Sequence, residues 1–409
     1  MATGTHAMSG RRVVIVGGGA IGSAIAYFLT CPVPGEPRPE VTVIERDFTY
    51  ARASSALSAS SIRQQFSTAV NIAMSRFGIG FLREIGESLA IDGERPDVGL
   101  VEPGYLYLAT PAGVDRLREN HAVQRESGVA VALLSPDELR ARFPWLATDG
   151  IALGSLGLRD EGWFDGYGLM QALRRKAVAQ GARYLQAEAH GFQRDSGGRV
   201  TAVLVRERGR DGASRGPSRA LACDAAVNAA GPWAASVAAW AGIALPVAAR
   251  RRSVFAFTCP SRLPGCPLVI DPSGIWFRPE GDRFICGFTP QDDPDEPPLE
   301  VEYAAFDEHI WPALAHRVPA FEAIRMAGAW AGYYEMNTFD HNAVIGLHPS
   351  CGNLYFAVGF SGHGLQQAPA TGLGIAEAIR HGGYRTLDLA PLGFQRILER
   401  RPLLERNVI

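Results

Sequence analysis

The stretch RRVVIVGGGAIGSAIAYFL, residues 11–29, decides the fold of this chain. Its order predicts a buried strand, a glycine turn and a helix. Gly17 permits a tight exit from the strand, Gly19 lets the backbone approach a pyrophosphate, and Gly22 lets the helix pack closely on the strand. Because the amide dipoles of such a helix face phosphate groups, the stretch predicts a dinucleotide site.

A second apolar strand supports this prediction. Residues 41–44 read VTVI and end at Glu45, the position from which a carboxylate binds the ribose hydroxyls of adenosine, and Arg46 follows directly. A strand-turn-helix unit that holds no ligand is the alternative, because glycine-rich turns also serve ordinary packing. The order of strand, three glycines, helix, strand and acid favours the dinucleotide.

The composition indicates a globular enzyme and argues against several other classes. The chain has 409 residues, enough for two domains, and its formal net charge of -2 gives no reason to expect nucleic acid. No apolar stretch reaches the roughly 18 residues that span a bilayer. The six cysteines form no CxxC pair and the histidines lack metal-ligand spacing, so we expect isolated thiols, no metal and a cytoplasmic location.

Residues 54–65, SSALSASSIRQQ, are rich in small hydroxyl side chains and follow the first βαβ unit. Helical apolar spacing resumes at residues 69–86, so the segment is held between two ordered elements. We expect it to lie against a flat ligand. A solvated serine linker is the alternative.

Two later strands also end in small residues. Residues 225–233, AAVNAAGPW, could lie against a bulky isoalloxazine or its phosphates, although a tightly packed crossover explains the same pattern. Residues 353–367 predict a strand that ends in the turn GFSGHG and opens a helix, whose N-terminus could face an electron-rich ring edge. Two such turns in one chain favour a flavin dinucleotide over nicotinamide.

Strand-like runs between residues 250 and 288 indicate a second sheet, distinct from the dinucleotide domain. An earlier run at residues 104–109 begins the excursion into it. The predicted fold class is therefore α/β, with a Rossmann-like domain and an α+β part built on a mixed or antiparallel sheet.

At three strings the chain resembles the D-amino-acid oxidase superfamily of FAD oxidoreductases. The strings are SIRQQFS at residues 61–67, EGWFD at 161–165 with LRRK at 173–176, and GFSGHGLQQ at 359–367 followed by APA. The most similar pattern is the sarcosine-oxidase-like branch, which includes the FAD-dependent oxidoreductase domain-containing proteins, one of which assists assembly of mitochondrial respiratory complex I.

The resemblance implies a discontinuous architecture. An FAD-binding domain of the glutathione-reductase type is expected from residues 1–90, 151–235 and 328–409, and a substrate domain from residues 91–150 and 236–327. FAD would lie extended against the following residues: Gly17, Gly19, Ala20, Ile21, Gly22, Glu45, Arg46, Ser60, Ser61, Arg63, Gln64, Ala189, Ala230, Gly231, Trp233, Gly362, His363, Gly364, Leu365 and Gln366.

The implied chemistry is oxidation of the C–N bond of an amino acid, with hydride transfer to flavin N5 and later hydrolysis of the imine. A secondary, N-substituted amine similar to sarcosine is the expected substrate. Three positions depart from the familiar members. Tyr334 stands where relatives place a carboxylate-binding arginine, Gln366 stands where sarcosine oxidases have a lysine, and Gly332 stands where they have the cysteine that tethers the flavin. We therefore predict non-covalent FAD.

The departures shift substrate recognition to other side chains. Arg63 or Arg278 is the candidate for a carboxylate, although Arg63 could instead contact the flavin and Arg278 could be a surface arginine. Tyr334 and His363 are the expected polar groups near the reacting carbon, Tyr105 is a weaker candidate, and Gln366 could hydrogen-bond a carboxylate.

The electron acceptor and the main role are left open by the sequence. The only lysine, Lys176, lies in a predicted surface helix, which favours slow oxygen use or a dehydrogenase that passes electrons to a quinone or a protein. A flavoprotein that acts mainly in partner binding or assembly is the alternative, and oxidation of a 2-hydroxy acid or glycerol phosphate is a third reading. The sequence motifs leave the oligomeric state open.

Overall fold

The structure, a computed structural model, describes residues 10–209, 213–290 and 292–407. Residues 1–9 and 408–409 of the predicted first and last segments lie outside the described residues. The described strands are β1 (Arg12–Val16), β2 (Glu40–Glu45), β3 (Ser61–Ile62), β4 (Tyr105–Ala109), β5 (Val131–Leu134), β6 (Leu153–Gly157), β7 (Gly162–Trp163), β8 (Arg183–Arg194), β9 (Val200–Arg208), β10 (Ser214–Ala222), β11 (Ala225–Asn228), β12 (Val247–Thr258), β13 (Leu268–Ile270), β14 (Trp276–Glu280), β15 (Arg283–Gly287), β16 (Arg325–Asn337), β17 (Val344–His348) and β18 (Cys351–Val358).

The helices alternate with these strands in the first part of the chain. They are α1 (Ala20–Thr30), α2 (Ala69–Arg83), α3 (Ile85–Ser88), α4 (Val114–Glu126), α5 (Pro136–Arg142), α6 (Gly166–Ala179), α7 (Ala234–Ala239), α8 (Tyr303–Ala305), α9 (Trp311–Arg317), α10 (Gly364–His381) and α11 (Gln395–Leu398). Within the described part of the chain, every helix is too short or too polar to cross a membrane.

The first sheet has eight strands in the order β10-β9-β8-β2-β1-β11-β18-β17. Its centre is parallel from β8 to β18, whereas β9, β10 and β17 pair antiparallel at the two edges. The apolar residues of β1 are buried on both faces, as expected for a central parallel strand covered by helices. This sheet and its helices form the predicted Rossmann-like part.

The second sheet also has eight strands, in the order β16-β12-β15-β14-β13-β4-β6-β5. Among the described strand pairings of this sheet, only that of β13 with β4 is parallel, so of the mixed or antiparallel sheet that was predicted, the mixed form is found. Its core is aromatic, because Phe255, Phe257, Phe277 and Phe321 are fully buried and the last three pack ring against ring.

Two strands near the expected domain boundaries belong to the second sheet. The strand β6 was expected in the FAD-binding segment that begins at residue 151, but it pairs with β4 and β5 in the second sheet. The strand β16 was expected largely in the segment that begins at residue 328, but it pairs along its length with β12. Within these two segments, the first strands that belong to the first sheet are β8 and β17.

A two-stranded sheet connects two of the motif strings. Ser61 in β3 pairs with Trp163 in β7, which places the SIRQQFS string beside the EGWFD string. The chain then continues from β3 into α2, whose Gly78 packs against the backbone of Gln366 at the start of α10. This arrangement brings three distant parts of the chain to one end of the parallel strands.

Candidate active site

A cavity of about 770 Å³ runs from the turn between β1 and α1 to the N-terminus of α10. It lies at the carboxyl ends of the parallel strands, where ligands of open α/β sheets bind. Of the predicted FAD residues, the following line it: Gly17, Gly19, Ala20, Ile21, Glu45, Arg46, Ala189, Ala230, Gly231, Trp233, Gly362, Gly364 and Leu365.

The glycine turn has the geometry that its sequence predicts. Gly17 has φ of +104° and its N–H donates to the carbonyl of Ile44 at 2.9 Å. A Cβ on Gly22 would lie 1.9 Å from the carbonyl oxygen of Gly17. Gly22 does not line the cavity itself, because its role is to bring α1 onto the end of β1.

Two charged residues, Glu45 and Arg46, line the larger cavity near the glycine turn. The carboxylate of Glu45 accepts hydrogen bonds from the N–H groups of Gly18 and Asp47, both at 2.9 Å. Burial raises the pKa of Glu45 above its ordinary value. The guanidinium carbon of Arg46 lies 3.5 Å from the ring centroid of Trp233, a stacked cation–π contact at the cavity wall.

The other end of the cavity is formed by β16 and α10. The ring of Tyr334 packs on the turn before α10, so closely that a Cβ on Gly362 would lie 2.5 Å from its Cε2. Burial raises the pKa of Tyr334. The helix α10 has 18 residues, and its positive N-terminal end begins beside Tyr334 and Leu365.

A smaller cavity of about 70 Å³ adjoins this end. Tyr334, Gly362, Leu365 and Trp276 line both cavities. The predicted residues that line the smaller cavity but not the larger one are Ser60, Ser61, Arg63, Tyr105, His363 and Gln366. Tyr334 therefore stands at the junction between two chemically different spaces.

Arg63 is the central cation of the smaller cavity. It is 2% exposed, and its guanidinium donates to the carbonyl of Gln65 at 2.6 Å and to the carbonyl of Asn407. Its Nη2 also lies 2.9 Å from Nε2 of His363. Since the guanidinium has only donors, Nε2 of His363 must be the acceptor, which leaves the ring proton on Nδ1.

Burial and the neighbouring Arg63 hold the pKa of His363 well below its ordinary value, so the imidazole is neutral. The side-chain amide oxygen of Gln366 accepts hydrogen bonds from the backbone N–H of Arg63 at 3.0 Å and from the hydroxyl of Ser75 at 3.1 Å. Tyr105 is also buried, which raises its pKa to about 12. His363 and Gln366 are the neutral side chains that hydrogen-bond Arg63 and hold it in position.

A buried carboxylate, Glu161, binds the backbone directly after Arg63. Glu161 is fully buried and accepts from the N–H groups of Gln64 and Gln65, at 2.6 and 3.0 Å, and from the side-chain amide of Gln65 at 2.9 Å. Burial raises the pKa of Glu161 to about 7. Gln64 lines neither cavity, because its side-chain amide donates to the carbonyl of Asp160.

Arg278 does not reach either cavity. Its guanidinium forms an ion pair with Glu280 and donates to the carbonyl of Ala59 at 2.7 Å. It also lies 4.8 Å from the ring centroid of Trp163. These contacts place Arg278 behind the site, as a link between β14 and the segment that precedes β3.

Arg252 and Glu335 are among the residues of the larger cavity that the sequence analysis did not name as site residues. Arg252 on β12 lies 5.2 Å from the ring centroid of Tyr334 and pairs with Asp293 through two hydrogen bonds of 2.7 and 2.8 Å. Glu335 follows Tyr334 on β16 and accepts from the N–H of Gly359 at 3.0 Å. The signals were three consecutive arginines at 250–252 and an acid within an otherwise apolar stretch of strand.

The larger cavity fits an extended flavin dinucleotide. It joins the glycine turn, the carboxylate of Glu45 and a second helix N-terminus in one continuous space. The hydroxyls of Tyr50 and Ser54, which line it, are buried without a hydrogen-bond partner in the described chain. A polar ligand that fills the cavity would supply those partners.

The family model for FAD dependent oxidoreductases, DAO, matches residues 12–378. The chain belongs to the DAO family. Its cofactor is accordingly FAD, as the two glycine turns predicted. When bound, FAD supplies the redox chemistry, and the residues that line the larger cavity are those placed to hold it.

Known DAO-family proteins match nearly the whole chain. FAD-dependent oxidoreductase domain-containing protein 1 of Xenopus laevis is 44% identical, over 97% of this chain and 84% of the relative. Glycine oxidase of Geobacillus kaustophilus is 28% identical, over 94% of this chain and 96% of that protein. The crystal structure of L-proline dehydrogenase from P. horikoshii superposes with a TM-score of 0.80 at 25% identity, covering 96% of this chain and 99% of the other.

Proposed function

We propose that this DAO-family protein oxidises the C–N bond of an amino acid, preferentially one with a secondary, N-substituted nitrogen. The observation that carries the proposal is the smaller cavity with its buried arginine, which opens beside the larger FAD cavity at Tyr334. A substrate that spans the junction would place its carboxylate near Arg63 and its reacting carbon beside the flavin.

The charge of Arg63 supports this assignment. In the described part of the chain, none of the hydrogen bonds of its guanidinium goes to a carboxylate. A buried cation with only neutral partners is costly, and an anion that enters the cavity lowers this cost. A planar guanidinium also matches the two oxygens of a carboxylate.

The neighbours of Arg63 have positioning roles in this proposal. The Nε2 atom of His363 accepts the guanidinium N–H, so it is not available as a base for the substrate amine. Gln366 holds the backbone of Arg63. Tyr334 lines both spaces, and in this proposal it orients the amine and its α-carbon between them.

The nitrogen class rests on the departures from the amino-acid oxidases and on the relatives. Tyr334 stands where the resemblance to glycine-oxidase-like proteins leads one to expect a carboxylate-binding arginine. Proline, the substrate named for the P. horikoshii enzyme, is a secondary amine, whereas glycine is a primary one. FAD is held without a covalent bond, since no cysteine lines the described larger cavity and position 332 is glycine.

The test is anaerobic absorbance spectroscopy of the purified holoprotein with a panel of ligands. N-Methyl amino acids and proline are compared with the corresponding primary amino acids, a 2-hydroxy acid and glycerol phosphate. Bleaching of the flavin by secondary amino acids supports the proposal, and admission of air then separates an oxidase from a dehydrogenase. No bleaching across the panel would contradict it and favour a flavoprotein that acts in partner binding or assembly.

A further inference from the structure

Glu335 is a cavity-facing carboxyl to which the proposed chemistry assigns no task. It lies on β16 directly after Tyr334 and lines the larger cavity but not the smaller one. Its Oε2 accepts the N–H of Gly359, where β18 ends. The same atom would lie 4.0 Å from a Cβ on Gly231, and Oε1 would lie 3.6 Å from a Cβ on Gly364.

These distances place the carboxyl between the two glycine segments at the flavin end of the cavity. Gly231 begins the turn after β11, and Gly364 begins α10. Both glycines also line the larger cavity. A ligand that fills this cavity must therefore pass the Glu335 carboxyl at close range.

The charge of Glu335 is not balanced by a cation. Four elements pack around it: β12, the end of β18, the turn at Gly231 and the start of α10. The titratable groups that these elements and β16 carry beside it are Arg250, Arg252, His363, Tyr333 and Tyr334. None of them forms an ion pair or a hydrogen bond with Glu335 among the described contacts, and the two arginines are paired with Asp295 and Asp293.

We propose that Glu335 is a further FAD-facing residue and that, at a pH where its carboxyl is ionised in the free protein, FAD binding is coupled to the uptake of up to one proton. FAD carries a doubly charged pyrophosphate, and its entry removes water from the cavity, so both effects disfavour an ionised carboxylate there. A protonated Glu335 is neutral and gains an O–H that can donate to the cofactor. The proton comes from solvent and resides on the carboxyl oxygen that faces the cavity.

The sign of the resulting pH dependence follows directly. Burial, opposed by the N–H groups of Gly359 and Phe360, raises the pKa of Glu335 to about 8. Bound FAD raises it further. The affinity for FAD is therefore greatest well below pH 8. As the pH rises above that value, the affinity falls by up to about tenfold per pH unit, as expected for one proton.

The experiment measures dissociation of FAD from the intact holoprotein. The protein is diluted in buffers from pH 7 to pH 9, and released FAD is followed by its fluorescence. The dissociation constant of the wild type should rise by roughly fivefold to tenfold over this range. In Glu335→Gln, which has no titrating carboxyl, it should change by less than about twofold. Glu335→Thr provides a second neutral variant of different shape and should behave likewise.

A matched control is available on α10. Glu377 is also buried and accepts two backbone N–H groups, those of Arg385 and Thr386 at 2.7 and 3.1 Å, but it does not line either cavity. Glu377→Gln should keep the pH dependence of the wild type. A flat wild-type profile, a wild-type slope that persists in both Glu335 variants, or loss of FAD from both variants at pH 7 would each overturn the proposal. The inference depends on FAD and not on the identity of the substrate.

Discussion

Substitution of Gly22 by alanine should disrupt the cofactor site through backbone contact alone. The new Cβ would lie 1.9 Å from the carbonyl oxygen of Gly17, whereas an ordinary C···O contact is about 3.3 Å. The first turn of α1 must therefore move away from the end of β1 by roughly 1.4 Å. Since Gly17 also carries φ of +104° and lines the cavity, the turn cannot absorb this shift without changing the space for the pyrophosphate.

Overpacking of this kind costs about 1–3 kcal/mol, more where backbone is involved. If about 2 kcal/mol of this appears in FAD binding, the affinity falls by about 30-fold. The assay is the ratio of flavin to protein after purification, followed by FAD titration. The matched control is Gly80→Ala in α2, where a Cβ would meet nothing within 4 Å. That variant should gain up to about 1 kcal/mol from helix propensity and keep its FAD. Wild-type flavin content in Gly22→Ala would refute the reasoning.

Three further predictions concern Arg63, the buried Glu161 and the non-covalent attachment of FAD. Arg63→Lys keeps the charge but loses the planar guanidinium. The substrate concentration that half-saturates flavin reduction should therefore rise about tenfold, while the flavin content is unchanged. An unchanged half-saturating concentration would remove Arg63 from substrate recognition. Glu161→Gln replaces one buried acceptor by a donor beside three N–H groups, and urea denaturation should show a loss of about 1–3 kcal/mol, whereas equal stability would show that these hydrogen bonds are dispensable. Acid precipitation of the holoprotein should release all of its flavin into the supernatant, and flavin retained in the pellet would contradict the non-covalent assignment drawn from Gly332.

The geometry of the glycine turn could be predicted because its determinants are local. The φ of Gly17 and the contact of Gly22 depend on residues within one strand-turn-helix unit, and the sequence shows that unit without interruption. Glu45 follows from the next strand, since parallel strands bring their carboxyl ends to one edge. The mixed second sheet was also visible, as alternating apolar runs.

The substrate half depends on contacts between distant segments. Arg63 meets His363 and Asn407, which follow it by 300 and 344 residues, and no periodicity reports such pairs. Arg252 is held by Asp293 on a loop. Arg278 is different, because Glu280 stands two residues later in the same strand, and residues two apart share a face of a sheet. That pairing was readable in the sequence and argues against a substrate role for Arg278.

The sheet to which two strands near the expected boundaries at residues 151 and 328 belong could not be predicted, for a related reason. The strand β6 has small residues, LGSLG, with weak strand propensity, and it is ordered by its neighbours β4 and β5. The strand β16 carries Tyr334, which lines both cavities, while it pairs with β12 of the second sheet. A motif that lies between two domains does not mark the end of either one.

The most direct test of the account compares two ligands that differ only at the carboxylate. An N-methyl amino acid and its carboxamide are mixed anaerobically with the holoprotein, and the rate of flavin bleaching is followed against ligand concentration. We predict that the amino acid reduces the flavin and that the amide needs about tenfold or more higher concentration, because it lacks the charge that pairs with Arg63. Equal reduction by both ligands, or reduction by neither, would contradict a site in which the buried arginine selects the substrate of an amine oxidoreductase.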